Sequence, residues 1–208
     1  MLYVSFDIGV KNLALCIINQ SDDTINIIDW KIIALAQCKK EVKNINETAE
    51  RLYVELDNII GQLNDIGFNK IDTVLIENQP SNLNGIMKTI QLLIFSYFNL
   101  LKHWDNTVTD VILVNPSLKL QTHSVIPPSR KDNIIKYTKR EKYINNKKDS
   151  IEICKYYIKD NEKLLSFFTS NKKLDDYADT LLQTVSYIRK NGNKIESVLL
   201  DDKNIMTL

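Results

Sequence analysis

Asp7, Glu77 and the group Asp175, Asp176 and Asp179 are the acids whose surroundings suggest chemistry. No His or Cys accompanies them, and oxygen-only ligands select a hard ion, Mg²⁺ or Mn²⁺, over zinc. Two such ions about 3.5–4 Å apart can activate a water and stabilise the leaving oxygen of a phosphodiester. His103 and His123 are isolated from these motifs and receive no role.

Each acid needs an element that holds it. In Leu2–Asn12, Leu2, Val4, Phe6 and Ile8 alternate with Tyr3, Ser5 and Asp7, the period of a strand with two different faces. Gly9 lets the chain turn tightly after Asp7 and would give a substrate close access to it. Asn12–Asn19 and Thr24–Ala34 read as two more strands joined by a polar turn, which predicts an antiparallel meander. Lys70–Gln79 is a short strand whose core, Val74-Leu75-Ile76, is continuously apolar, as in a central strand. It ends in Glu77, a familiar place for chemistry in open sheets; the plainer alternative is a freely hydrated glutamate. Leu174–Lys190 is a helix with Leu174, Ala178 and Leu181 on one face, and Asp176 and Asp179 one turn apart away from it. A shared cation would relieve their repulsion. First-turn acids also favour the helix dipole, which is sufficient reason for Asp175.

Between these lie a helix from Asn46, a helix over Asn84–Trp104 apolar on nearly all sides, and a strand over Thr109–Asn115. The Asn84–Trp104 helix is buried deep in the monomer, or lies between the sheet and a partner subunit. Ser117–Asn146 reads as a long irregular excursion with one helical turn, and helix resumes at Lys147; the tail after Gly192 has no clear assignment.

The net charge of +1 gives no global sign of nucleic-acid binding, but Arg130–Lys148 alone carries +6, leaving −5 for the rest. A basic patch on an acidic body suggests a polyanion site; a solvated loop is the simpler reading. The three cysteines, Cys16, Cys38 and Cys154, are widely spaced, which disfavours a disulfide framework or a zinc site and points to a reducing compartment. Met1 leads straight into a strand pattern, so no secretory leader is expected, and Lys88, Gln91 and Asn99 interrupt the longest apolar segment. A soluble, intracellular protein without a membrane span is expected.

FDIGVKNLA at Phe6–Ala14, LIENQP at Leu75–Pro80 and KLDDYAD at Lys173–Asp179, in that order, resemble the Holliday junction resolvases of poxviruses and other large DNA viruses. More distantly they are similar to bacterial RuvC and the mitochondrial resolvases of yeasts. NKKDSIE at Asn146–Glu152 is similar to the lysine-rich stretch preceding a helix in the viral enzymes. The resemblance implies an α/β, ribonuclease H-like fold: a five-stranded mixed sheet, its first three strands antiparallel, flanked by helices. The expected organisation is one RuvC-like nuclease domain over residues 1–208 with a basic loop insertion at about 117–146. The insertion is longer than in the poxvirus members. By the same resemblance Asp7, Glu77, Asp176 and Asp179 are the catalytic, metal-binding acids, and Asp175 is not.

The activity implied is paired, metal-dependent hydrolysis of four-way DNA junctions by a homodimer, in recombination or in resolving replicated viral genomes. Mg²⁺, with Mn²⁺ able to substitute, is expected as two ions per site. Asp7 would contact both, Glu77 and Asp179 would complete the separate shells, and Asp176 would assist. Lys147 and Lys148, with Lys139 and Arg140, would neutralise phosphate, and Lys11 and Asn12 would position the DNA backbone. If the chain is viral, it would act where viral DNA replicates in the infected cell. Two alternatives stand beside this reading. An actin-like ATPase or kinase also begins strand–Asp–x–Gly but needs glycine-rich loops, and the five glycines here are isolated. A catalytically silent junction-binding scaffold is the other.

Overall fold

The computed structural model describes residues 1–37, 41, 44–80, 85–120 and 137–201. β1 (Leu2–Asp7), β2 (Leu13–Ser21) and β3 (Thr24–Ile33) form the antiparallel meander predicted from the alternation. Helix α1 (Ile45–Asp65) leads to β4 (Ile71–Glu77), parallel to β1, and α2 (Gly85–Trp104) leads to β5 (Val108–Val114), parallel to β4. A 3₁₀ turn, Pro116–Leu120, follows, and then α3 (Lys139–Ile158), α4 (Glu162–Ser170), α5 (Leu174–Lys190) and β6 (Ser197–Leu200). The sheet order is β5-β4-β1-β2-β3-β6.

The mixed sheet flanked by helices is as expected, but it has six strands rather than five. The unassigned tail supplies the sixth, with Ser197–Leu200 pairing in parallel with Thr24–Ile27. Four residues are too few for alternation to declare a strand. Helix α3 also starts earlier than Lys147. Thr138 caps it: Glu141 N donates to Thr138 Oγ1 (3.2 Å) while the Glu141 carboxylate accepts from Thr138 N (2.8 Å). Lys139 and Arg140 are therefore helical. Arg130, Lys131 and Lys136 of the basic run lie outside the described residues, as do His123 and Cys38.

The sheet separates two cores. Leu2, Val4 and Phe6 of β1 pack with Leu52, Leu56, Ile90, Ile94 and Phe98 of α1 and α2. Tyr3 faces the other side, with Ala178, Leu181 and Val185 of α5. By the same alternation Asp7 points to the α5 side, and so does Glu77, which shares a face with Leu75. Phe6 is in register with Ile76, so Asp7 and Glu77 leave neighbouring parallel strands side by side. A bulge at Ile28 returns Trp30 to the α5 face, where it stacks on Phe168 and donates Nε1–H to Tyr177 O (3.0 Å). That bond pins α5 across the sheet beside its acids.

Helix α2 buries one face only, through Ile90, Gln91, Ile94 and Phe98. Leu92, Leu100 and Trp104 project outward, so among the described residues the helix is not enclosed on several sides. No helix among the described residues is long and apolar enough to cross a membrane. Cys16 and Cys154 are buried free thiols.

Candidate active site

The C-terminal ends of β1 and β4 and the first turns of α5 open onto one cavity of about 390 Å³. Asp7, Glu77, Asp176 and Asp179 all line it, so the structure brings the four expected acids together. A residue that sequence reasoning missed joins them. Lys119, in the 3₁₀ turn after β5, is only 4% exposed. Its ammonium donates to Asp179 Oδ2 (2.8 Å), Glu77 Oε2 (3.1 Å) and Asp7 Oδ1 (3.3 Å).

The electrostatics follow from crowding. Burial pushes the Glu77 carboxyl above its ordinary value; Lys119 opposes this and Asp179 adds to it. Burial works against the charge on Lys119, but Asp179 and Glu77 outweigh it, so the ammonium is held charged. Asp176 is also raised, first by burial and then by Asp175, and its buried Oδ2 has no hydrogen-bond partner among the described residues. Among those residues, no three His, Cys, Asp or Glu side chains are grouped closely enough to hold one ion. Lys119 Nζ stands where three carboxylates converge. An oxygen-only donor set, an ammonium bridging three acids and an orphaned carboxylate oxygen together fit a hard divalent cation.

Asp175 has more to do than favour the helix dipole. Burial disfavours its charge, yet its bond to Lys147 keeps the carboxyl below its ordinary value. Burial likewise works against the Lys147 charge, but hydrogen bonding to Asp175 and Tyr143 raises its pKa. Of the six residues expected to contact DNA, only Lys147 lines the cavity. Lys148, Lys139 and Arg140 are exposed on α3, and Lys11 and Asn12 stand on the β1–β2 loop.

Gly9 serves that loop. A Cβ built there would lie 2.4 Å from the Asn12 carbonyl oxygen, so its missing side chain makes room for the chain's own backbone. Gly9→Ala is expected to cost about 1–3 kcal/mol, read by urea unfolding, because the backbone must shift.

One buried amide fastens the acid-bearing elements. Gln183, four residues after Asp179, is fully buried; its Nε2 lies 3.0 Å from Ser5 Oγ, 3.2 Å from Leu75 O and 3.3 Å from Phe6 O. It thus ties α5 to β1 next to Asp7 and to β4 near Glu77. Gln183→Leu leaves those acceptors short of a donor and is expected to lower stability by about 1–3 kcal/mol in the same assay.

The helix-flanked mixed sheet has a ribonuclease H-like fold, with acids at the ends of its first and fourth strands and on its last long helix. The family described as Poxvirus A22 protein matches residues 1–191, and the chain belongs to that family. The Holliday junction resolvase of fowlpox virus superposes with a TM-score of 0.55 at 22% identity, covering 92% of this chain and 99% of that one. Yeast mitochondrial Ydc2, also a Holliday junction resolvase, gives 0.59 at 14% identity, covering 90% and 78%. RuvC of Thermus thermophilus, solved with a Holliday junction substrate, gives 0.55 at 11% identity, covering 93% and 98%. At these identities the likeness establishes the fold. In sequence, the uncharacterized protein L451 of Acanthamoeba polyphaga mimivirus is 32% identical over 127 residues, 57% of this chain. The match spans 29% of that protein's length.

Proposed function

We propose that the protein is a structure-selective DNA endonuclease that resolves four-way junctions by metal-dependent phosphodiester hydrolysis. The observation that carries this is the convergence of Asp7, Glu77 and Asp179 on Lys119, with Asp176 beside them, in a cavity walled by the lysine-bearing helix α3. Family membership and the resolvase fold support the choice of substrate.

Asp7 is the central ligand in this reading, with Glu77 on one side and Asp179, assisted by Asp176, on the other. Four carboxylates and one ammonium leave a formal charge of −3. One divalent ion brings this to −1 and a second to +1, and only the latter complements a phosphodiester. The charge balance therefore favours two ions, Mg²⁺ or Mn²⁺. When bound, they supply Lewis-acid polarisation of the phosphate and a nucleophilic water at neutral pH. Lys119 holds Asp7, Glu77 and Asp179 together, and with ions bound its charge would serve the phosphate. Asp175 and Tyr143 hold Lys147 at the cavity wall. Lys148, Lys139 and Arg140 carry the DNA arms, and Lys11 and Asn12 meet the backbone at the β1–β2 loop. Each phosphate contact makes affinity fall with salt.

A homodimer would cut opposite strands in symmetry, and the outward Leu92, Leu100 and Trp104 of α2 support such a contact. The reading also places residues 1–208 in one nuclease domain. Its free thiols suit a reducing compartment, where recombining or replicated viral DNA is the substrate.

The test offers a synthetic four-way junction and a linear duplex of the same sequence, with Mg²⁺ or Mn²⁺. Paired nicks in the junction and an intact duplex are expected. Junction binding without nicks would instead make the protein a silent scaffold.

A further inference from the structure

Helix α3 presents Tyr143, Asn146, Lys147 and Ser150 to the cavity, the spacing of one helical face. Tyr143 is conspicuous there. It borders the same cavity as the four acids yet remains 61% exposed, too open to serve as core. Lys147 Nζ lies 5.1 Å from its ring centroid, within cation–π range, so the ring is steadied by a charged neighbour. Lys139, Arg140, Lys142 and Lys148 follow the same helix with exposed side chains, giving an aromatic ring set among phosphate-seeking cations. Because the ring and the carboxylates line one cavity, a nucleotide with its phosphate at the acids has its base within reach of Tyr143.

We propose that Tyr143 is a stacking platform for a nucleobase flanking the scissile phosphate, a proposal that rests on the nuclease reading above. Base–aromatic stacking tolerates any sequence, because every base has a π-face. It discriminates structure instead. Within a continuous duplex a base must be unstacked and unpaired before it can reach the ring, whereas at a branch point the stack is already interrupted and the cost is lower. Tyr143 thereby gives the site a reason to prefer junctions without reading base edges. Lys147, held by Asp175 and touching the ring, sets the ring's position at the cavity wall.

The test uses the full chain and junctions carrying 2-aminopurine on either side of the cleavage site. Wild type is expected to change the probe's fluorescence on binding, and Tyr143→Ala and Tyr143→Leu are expected to lose that change. Both variants should cut the junction roughly five- to a hundredfold more slowly in single turnover, with Tyr143→Phe restoring the rate to within about twofold. Their dependence on Mn²⁺ concentration should match wild type, which a general structural defect would not preserve. An exposed position makes misfolding of these variants unexpected, and their thermal midpoints verify it. Cleavage by Tyr143→Ala at the wild-type rate would overturn the proposal. So would rescue by leucine as complete as by phenylalanine, or an identical probe response in wild type and Tyr143→Ala. In those cases wild type still binds and cuts, and the nuclease reading stands; if wild type neither binds nor cuts, both fall.

Discussion

Asp7→Asn is expected to slow junction cleavage by on the order of a thousandfold or more, equivalent to about 4 kcal/mol of barrier. The reason is geometric. Asp7 leaves the end of β1 beside Glu77 and meets Glu77 and Asp179 at Lys119, so in the proposed site it would serve both cations. Asparagine keeps the shape and one acceptor oxygen but removes the charge that binds a hard ion. Junction affinity without divalent metal is expected to hold or tighten, since a negative charge leaves a cleft that must admit phosphate. Single-turnover cleavage and a gel-shift titration measured side by side check both halves. Equal loss of binding and cleavage would point to a folding defect rather than a lost ligand.

Lys119→Met is expected to slow the cleavage step by about 10²–10³-fold, the magnitude of removing one preorganised donor from a site of charge development. Two further consequences separate this from simple damage. Without metal, Asp7, Glu77 and Asp179 lose the cation that bridges them, and stability is expected to fall by up to about 3 kcal/mol. The loss stays at the low end for breaking a buried pair because the three carboxylates retain 13–28% of their side-chain exposure to water. Added Mg²⁺ should recover most of it, because the ion replaces the missing charge. The pH profile should also move. Burial raises the Glu77 pKa and Lys119 lowers it, so removing Lys119 leaves Glu77 protonated up to a higher pH. Glu77 must be ionised to ligate, so the acidic limb of the rate profile shifts upward in pH. A profile unchanged from wild type would place Lys119 outside the site's charge balance.

Each of the four candidate acids sits beside a local signal, but it is the resemblance to the viral resolvases that selects these four and leaves out Asp175. Alternation orients Asp7, a continuously apolar strand ends at Glu77, and a helical stripe leaves Asp176 and Asp179 on one side. Lys119 was not legible, because its meaning is topological. It follows β5, and only the parallel pairing of β5 with β4 brings the turn after β5 to the strand ends that carry the acids. The sole local hint is a lysine between Leu118 and Leu120. Gln183 hid for a related reason: a polar residue on an apolar helix can be read as a solvated position until the helix is docked on the sheet. By contrast, the early start of α3 was readable from Thr138 and Glu141, a capping-box spacing hidden in a segment read for its charge. The sixth strand offered too few residues for its period to show.

Asp7, Glu77, Asp176 and Asp179 are expected to hold divalent ions around the point where Lys119 bridges three of them. Anomalous scattering from Mn²⁺ in crystals of the wild-type protein with a cleavage-resistant four-way junction tests this most directly. Mn²⁺ peaks between the four carboxylates, flanking the junction phosphate, with Lys119 Nζ moved off their meeting point, are the expected result. Lys119 still bridging Asp7, Glu77 and Asp179, with no anomalous density at the acids although the junction is bound, would contradict it.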